Sequence, residues 1–298
     1  MRKLLAAAAM LLAAPTFAHQ EAPGAATPAP EQIDADPAIW VVRDADTAIY
    51  LFGTYHLLDS RPGSTRRSAP PSTRRDELVL EAALPEDPAS LQPLILRLGI
   101  DRERRLSDRL TPAQGEALAK AAASMGIPAA GIDRFKPWFA AMVLNNVVAK
   151  KLGIDADRGP ETVLSHAARA RAMPIGELEG LEWQFALFDA MPEAQQLAML
   201  RQGLDNVDRL GEMLAPMLAA WSSGDVEGLK RIMDAAGEQD PELSRLLFAD
   251  RNAKWAGWIE ERLKRPGIVF LAVGAGHLAG RESVQRALAG RATRGGAR

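Results

Sequence analysis

Ile268-Val269-Phe270-Leu271-Ala272-Val273-Gly274-Ala275-Gly276-His277 lies close to the C-terminus of a 298-residue chain, and its reading decides the fold. Six apolar residues, half of them β-branched, follow Pro266-Gly267 and predict a strand. The run has no polar face, as expected of a strand covered by helices on both sides. It closes on Gly-x-x-His. The same closure ends a second apolar run, Thr47-Ala48-Ile49-Tyr50-Leu51-Phe52, which leads into Gly53-Thr54-Tyr55-His56. Carboxyl ends of strands in an open α/β sheet border the usual ligand crevice. Glycine there permits a sharp turn and the close approach of another group.

Working outward, Ala38-Ile39-Trp40-Val41-Val42 and the strand beginning at Thr47 flank Asp44-Ala45-Asp46 and predict a hairpin. Glu77-Leu78-Val79-Leu80-Glu81 reads as a further strand, and Met173-Pro174-Ile175-Gly176-Glu177-Leu178 as one more. Between them the spacing is helical over 111–126, 136–152, 160–171, 180–190, 193–221, 224–236 and 240–264. Thr111-Pro112-Ala113-Gln114 supplies a capping residue, a proline at the first helical position and an amide three residues on. Residues 59–75, rich in arginine and proline, have no apolar face and read as an unusually long loop.

Arg2 and Lys3 followed by an apolar run over 4–14 and Thr16-Phe17-Ala18 predict a signal peptide over 1–18, cleaved after Ala18. The product is expected in a periplasm or outside the cell. Residues 19–36 then read as a flexible lead-in and 291–298 as a disordered tail. No later stretch is long and apolar enough for a membrane helix, so no stable membrane insertion is expected after cleavage. A formal charge of −2 removes the simplest argument for nucleic acid. With no cysteine, thiolate catalysis, disulfides and cysteine-ligated metals are excluded, leaving His19, His56, His166 and His277 as the imidazoles.

His56 and His277, with Glu81 at the end of a third strand, make a three-ligand set with a position left for water. The plainer alternative is that each is a hydrogen-bonded residue at a strand end. A solvated helix face accounts for His166, and a solvated tail for His19. The tryptophans fall mostly on helical apolar stripes, where core packing accounts for them. Gly-x-Ser-x-Gly, His-Glu-x-x-His and phosphate-loop signatures are missing, and Gly274-x-Gly276 comes too late for a dinucleotide fingerprint.

The ordered set Pro37-Ala38-Ile39-Trp40, Leu51 to His56, Leu78-Val79-Leu80-Glu81, Lys136-Pro137-Trp138, Gly159-Pro160-Glu161, Leu178-Glu179, Arg251-Asn252 and Val273 to Gly280 resembles the TraB/GumN family. That family is similar to the Tiki proteases and to the erythromycin-esterase-like and ChaN-like folds. The resemblance implies a single domain over 37–290 of α/β class, with a central mixed sheet flanked by many helices. It also implies two pseudo-repeated halves, each ending a strand on Gly-x-x-His. Its Tiki-like members are metal-dependent peptidases, so a divalent ion (manganese, cobalt or zinc) is the expected cofactor and a peptide or small molecule the expected substrate. By position, His56, Glu81 and His277 would hold the metal. Arg251 and Asn252 would line the pocket, with Arg251 steadying developing negative charge, and Glu179 is the expected general base. Two alternatives stay open: a non-enzymatic periplasmic ligand-binding protein that takes haem, as ChaN-like relatives do, and a metal-independent esterase using His56 or His277 as base. The chain departs from the family at residues 59–75, where an amphipathic helix is usual, and at Glu81-Ala82-Ala83, where another acid often stands.

Overall fold

The computed structural model describes residues 35–55, 75–123, 126–151, 159–205, 210–236 and 241–295. The expected signal peptide over 1–18, lead-in residues 19–34, His56 and loop residues 59–74 lie outside the described residues. Five strands are present: β1 (Ile39–Arg43), β2 (Thr47–Thr54), β3 (Glu77–Leu80), β4 (Ile175–Glu177) and β5 (Gly267–Gly274). The longer helices are α1 (Pro112–Ala123), α2 (Pro137–Lys151), α3 (Pro160–Arg169), α4 (Leu181–Asp189), α5 (Glu193–Asp205), α6 (Leu210–Ser222), α7 (Val226–Ala236), α8 (Asp250–Leu263) and α9 (Val284–Gly295).

The strands form one mixed sheet in the order β1-β2-β5-β3-β4, making this an α/β fold. Only β1 is antiparallel to its neighbour. Asp44 starts the turn between β1 and β2: its Oδ1 accepts the backbone N–H of Asp46 at 3.2 Å and of Thr47 at 2.9 Å. That side-chain turn explains why three polar-flanked residues suffice to reverse the chain. In β2 and β5 the last four residues are all buried, as the absence of a polar face in the sequence predicts.

The described residues separate into two compact units, where the sequence reads as one domain over 37–290. One draws on Leu84–Asp157 and Gly180–Gly211, the other on Gln32–Ala83, Arg158–Glu179 and Glu212–Arg298. The first is helical, with a core around Trp138, Phe139, Leu144, Phe185 and Leu200. Its α1 begins with the anticipated reciprocal cap, Gln114 N–H to Thr111 Oγ1 at 3.3 Å and Thr111 N–H to Gln114 Oε1 at 3.2 Å. The second unit holds the whole sheet. One face packs Ile49, Leu51, Val79, Val269 and Leu271 against Trp255 and Ile259 of α8.

Local expectations are revised in three places, while over 193–221 α5 and α6 are helical as expected on either side of 206–209, which lie outside the described residues. The helix over 240–264 is interrupted by a π-helical turn at Arg245–Ala249, just before α8. Residues 291–295, read as part of a disordered tail, continue α9. At the other end Ala35 is 1% exposed and the Asp36 N–H donates to Ser222 O at 2.7 Å, so the lead-in is anchored by its last residues. No helix among the described residues is long and apolar enough to cross a membrane.

Candidate functional site

Because β2, β5 and β3 run parallel, their carboxyl ends share one edge of the sheet. β2 finishes at Gly53-Thr54, paired with Val273-Gly274 of β5. A Cβ on Gly53 would stand 3.0 Å from the Ala275 Cα, so glycine is needed for the close approach of the two strand ends. Glu81 follows β3 directly and donates its backbone N–H to Ala272 O at 3.2 Å. Its side chain turns back along the edge, where Oε2 accepts the Gly274 N–H at 3.1 Å.

α8 brings the complementary groups. Its buried positions are Arg251, Asn252, Trp255, Ala256, Ile259 and Arg262, the spacing of one helical face. The stripe is apolar in the middle and polar at its ends, and each end finds an acid at one end of β3: Glu77, its first residue, or Glu81, which follows it. Arg262 Nε meets Glu77 Oε2 at 3.0 Å, while Arg251 Nη2 meets Glu81 Oε1. About 16 Å of helix therefore lies along about 13 Å of strand, in the opposite direction.

Arg251, 7% exposed, bridges two carboxylates. Its Nε donates to Glu179 Oε1 and Oε2 at 3.1 and 3.2 Å, its Nη2 to Glu179 Oε2 at 2.8 Å and to Glu81, and its Nη1 to Leu247 O at 3.1 Å. Burial alone would lower the Arg251 pKa, but the hydrogen bonds and negative charge of Glu179 and Glu81 outweigh it and raise the value. Glu179 also accepts the Trp255 indole N–H at 3.0 Å.

His277 sits in the turn after β5 and is 5% exposed. Its ring packs 4.3 Å from Trp255 and 5.1 Å from Phe248, centroid to centroid. Nδ1 lies 2.7 Å from Asn252 Oδ1, and Asn252 Nδ2 donates to the Glu282 carbonyl at 2.6 Å. That carbonyl can only accept, so the amide orientation is determined, and Nδ1 must carry the proton shared with Asn252. Nε2, the other ring nitrogen, faces Glu81 Oε2 at 3.9 Å. Two donors about 2.1 Å from one tetrahedral ion stand about 3.4 Å apart, so this pair would have to close by about 0.5 Å to share one. Among the described residues there is no group of three or more such side chains placed to hold a metal.

The structure thus brings Glu81, Glu179, Arg251, Asn252 and His277 to one edge of the sheet, while His56 lies outside the described residues. Asn252 contacts the imidazole, the position of an orienting group, where the resemblance implies a pocket wall. Glu179 engages Arg251 and Trp255, the position of an anchor for the guanidinium, where a general base is expected. Trp255, read as core, is both packed and hydrogen-bonded to the cluster. Its spacing from Arg251, one helical turn on the same face, is the signal that places it there.

The profile of the TraB/PrgY/gumN family matches residues 38–293, spanning both units. The chain belongs to this family. Similar curated proteins include "Uncharacterized protein YbaP" of Escherichia coli (strain K12), 27% identical over 261 residues, covering 85% of this chain and 92% of that protein. The protein of the same description from Shigella flexneri matches to the same extent, 27% over 261 residues. No solved structure matches the chain significantly. The family match takes in every member of the strand-edge cluster, from Glu81 to His277.

Proposed function

We propose that this TraB/PrgY/GumN-family protein is an exported, metal-dependent hydrolase with peptidase-like chemistry. The observation that carries the reading is the approach of His277 Nε2 to Glu81 Oε2, 3.9 Å, at the carboxyl edge of three parallel strands. Asn252 holds the proton on Nδ1, which leaves Nε2 as the nitrogen presented toward the acid. Together with His56, from the first of two pseudo-repeated Gly-x-x-His halves, these residues would hold a divalent ion such as manganese, cobalt or zinc. When bound there, such an ion supplies a more acidic water and polarises a scissile carbonyl.

The remaining roles belong to the chain. Glu81, Glu179 and Arg251 sum to a net negative charge, which favours a cation and disfavours an anionic ligand. Arg251 holds Glu81 by Oε1 and so orients Oε2 toward His277 and the Gly274 N–H. Glu179 and the Trp255 indole hold Arg251 in turn. In this reading Glu179 is a positioning residue, because its oxygens are engaged by donors that a general base would have to give up. Arg251, with its donors already shared between two carboxylates, steadies the cluster in the same way.

The test is elemental analysis of purified protein, paired with cleavage of fluorescein-labelled casein in the presence of added manganese. The expected result is retained divalent metal and metal-dependent cleavage in the unmodified chain, with both lost in His277→Ala and His56→Ala. A metal-free protein that cleaves casein or small esters unaided would replace this reading with the metal-independent esterase. A protein that holds no metal, cleaves nothing and shows a Soret band on haem titration would replace it with the haem-binding one.

A further inference from the structure

Trp221, near the end of α6, is 4% exposed and firmly held. Its indole N–H donates to the Gly53 carbonyl at 2.8 Å. Its ring meets Phe52 edge-on with centroids 6.4 Å apart, and Tyr55 stacks on it at 6.3 Å. The indole forms one wall of a cleft of about 20 Å³. Gly53, Ala220, Leu229 and Leu278, all buried, line its floor. Ala38, Trp40, Val226 and Ala275 frame the mouth and are only partly buried, so the cleft opens to solvent. Asp225, the charged residue of the lining, keeps its carboxylate on the Gly228 N–H at 2.8 Å. Close-packed proteins leave few such gaps, and two more methyl groups at Ala220 would fill this one.

The location gives the cleft a use. Ala275 and Leu278 are the first and last residues of the 3₁₀ turn that carries His277, and residues three apart in such a turn share a side. The cleft therefore lies against one side of this turn, while His277 projects from another. Two chain steps separate Ala275 from His277, which keeps their Cα atoms within about 7.6 Å. An extended peptide advances about 3.3 Å per residue, so one with a side chain in the cleft reaches the imidazole within about two residues. We infer that the cleft is a specificity pocket that takes an alanine-sized side chain of a peptide substrate. The inference rests on the proposed hydrolase for the chemistry, while size and lining choose the side chain. Benzene fills a cavity of about 150 Å³, so a space of about 20 Å³ admits a methyl group and rejects leucine or an aromatic ring. With the Trp221 N–H already given to Gly53, the floor offers no side-chain hydrogen bond, and a polar group would be desolvated there without return.

The probes are the N-acetyl amides of triglycine, trialanine and trileucine, titrated against the full chain. The signal followed by NMR is the Trp221 indole N–H, assigned with Trp221→Phe. Trialanine is expected to shift that resonance and to bind about fourfold more tightly than triglycine, for one buried methyl group. It is expected to bind about tenfold more tightly than trileucine. Ala220→Val, which fills the floor, is expected to erase the preference for alanine. Leu229→Ala, which deepens the cleft, is expected to favour trileucine, a gain that loss of folding cannot imitate. Equal binding of the three peptides by the unmodified chain overturns the inference, as does an alanine preference that survives Ala220→Val. An alanine preference without casein cleavage would sink the hydrolase and leave the cleft its ligand. Manganese-dependent casein cleavage by a chain that binds the three peptides equally would do the reverse.

Discussion

α8 sets one arginine against each end of β3, and the two ends differ in what answers the charge. Arg262, 6% exposed, meets one carboxylate, Glu77, which is itself a quarter exposed, and donates to the Arg265 carbonyl at 2.6 Å. The nearby Asp76 accepts the Ile268 backbone N–H at 2.9 Å. Arg251, buried to the same degree, meets two carboxylates, Glu81 and Glu179, with an imidazole beside them. The amino-terminal end is a one-to-one brace between helix and strand. At the carboxyl end one guanidinium is shared between two carboxylates, beside a histidine whose tautomer is assigned by a buried amide. Burial of an ion pair therefore does not by itself mark a site, and what sets the carboxyl end apart is the oriented imidazole beside the shared guanidinium.

The comparison can be broken by removing each arginine in turn. Arg251→Met is expected to cost the most, about 3–5 kcal/mol in denaturant unfolding, because it leaves two largely buried carboxylates without their cation. Arg262→Met is expected to cost about 1–3 kcal/mol, since Glu77 can turn toward water. Equal losses would erase the distinction between the two ends. A smaller effect sharpens the carboxyl end alone: Asn252→Leu removes the acceptor of the His277 Nδ1–H and should cost about 1–2 kcal/mol. In 15N-edited NMR of the histidine ring, the unmodified chain should show the Nδ1–H form and the leucine variant a shift toward Nε2–H. An unchanged tautomer in that variant would mean Asn252 does not set it.

The smallest expected effect concerns the apolar floor of the same edge. Burial pushes the Tyr55 phenol above its ordinary range. An unfolded tyrosine ionises near pH 10 while Tyr55 stays protonated, so the stability it contributes is complete below about pH 10 and is lost as pH rises above that. Tyr55→Phe should therefore lose less stability than the unmodified chain between about pH 9.5 and 11. Parallel loss in the two proteins would show that the ring is not shielded.

Strands were the legible part of the fold. β2 and β5 announce themselves by uninterrupted apolar residues, because a strand buried on both faces admits nothing else. Even the short β4, Ile175–Glu177, lies inside the stretch read as a strand. Helix interruptions were not legible, since the sequence keeps its helical spacing through the π-helical turn at Arg245–Ala249. Much the same division applies to the site. Glu81 and His277 stand out because they end apolar strands, and Arg251-Asn252 and Glu179 because they fit a family pattern. What each one touches was not readable. Trp255 looked like any core tryptophan.

The chain's local chemistry determines which segments become strands, where they stop, and which acids and imidazoles lie at their ends, because backbone propensity and apolar period act over a few residues. Tertiary structure alone decided that the Asn252 amide would hold the His277 Nδ1 proton, 25 positions away, and that Arg251 would tie Glu179 to Glu81, 72 and 170 positions away. Those assignments depend on which donor faces which acceptor at about 3 Å. Only the packing of α8 along the sheet brings the groups within that range.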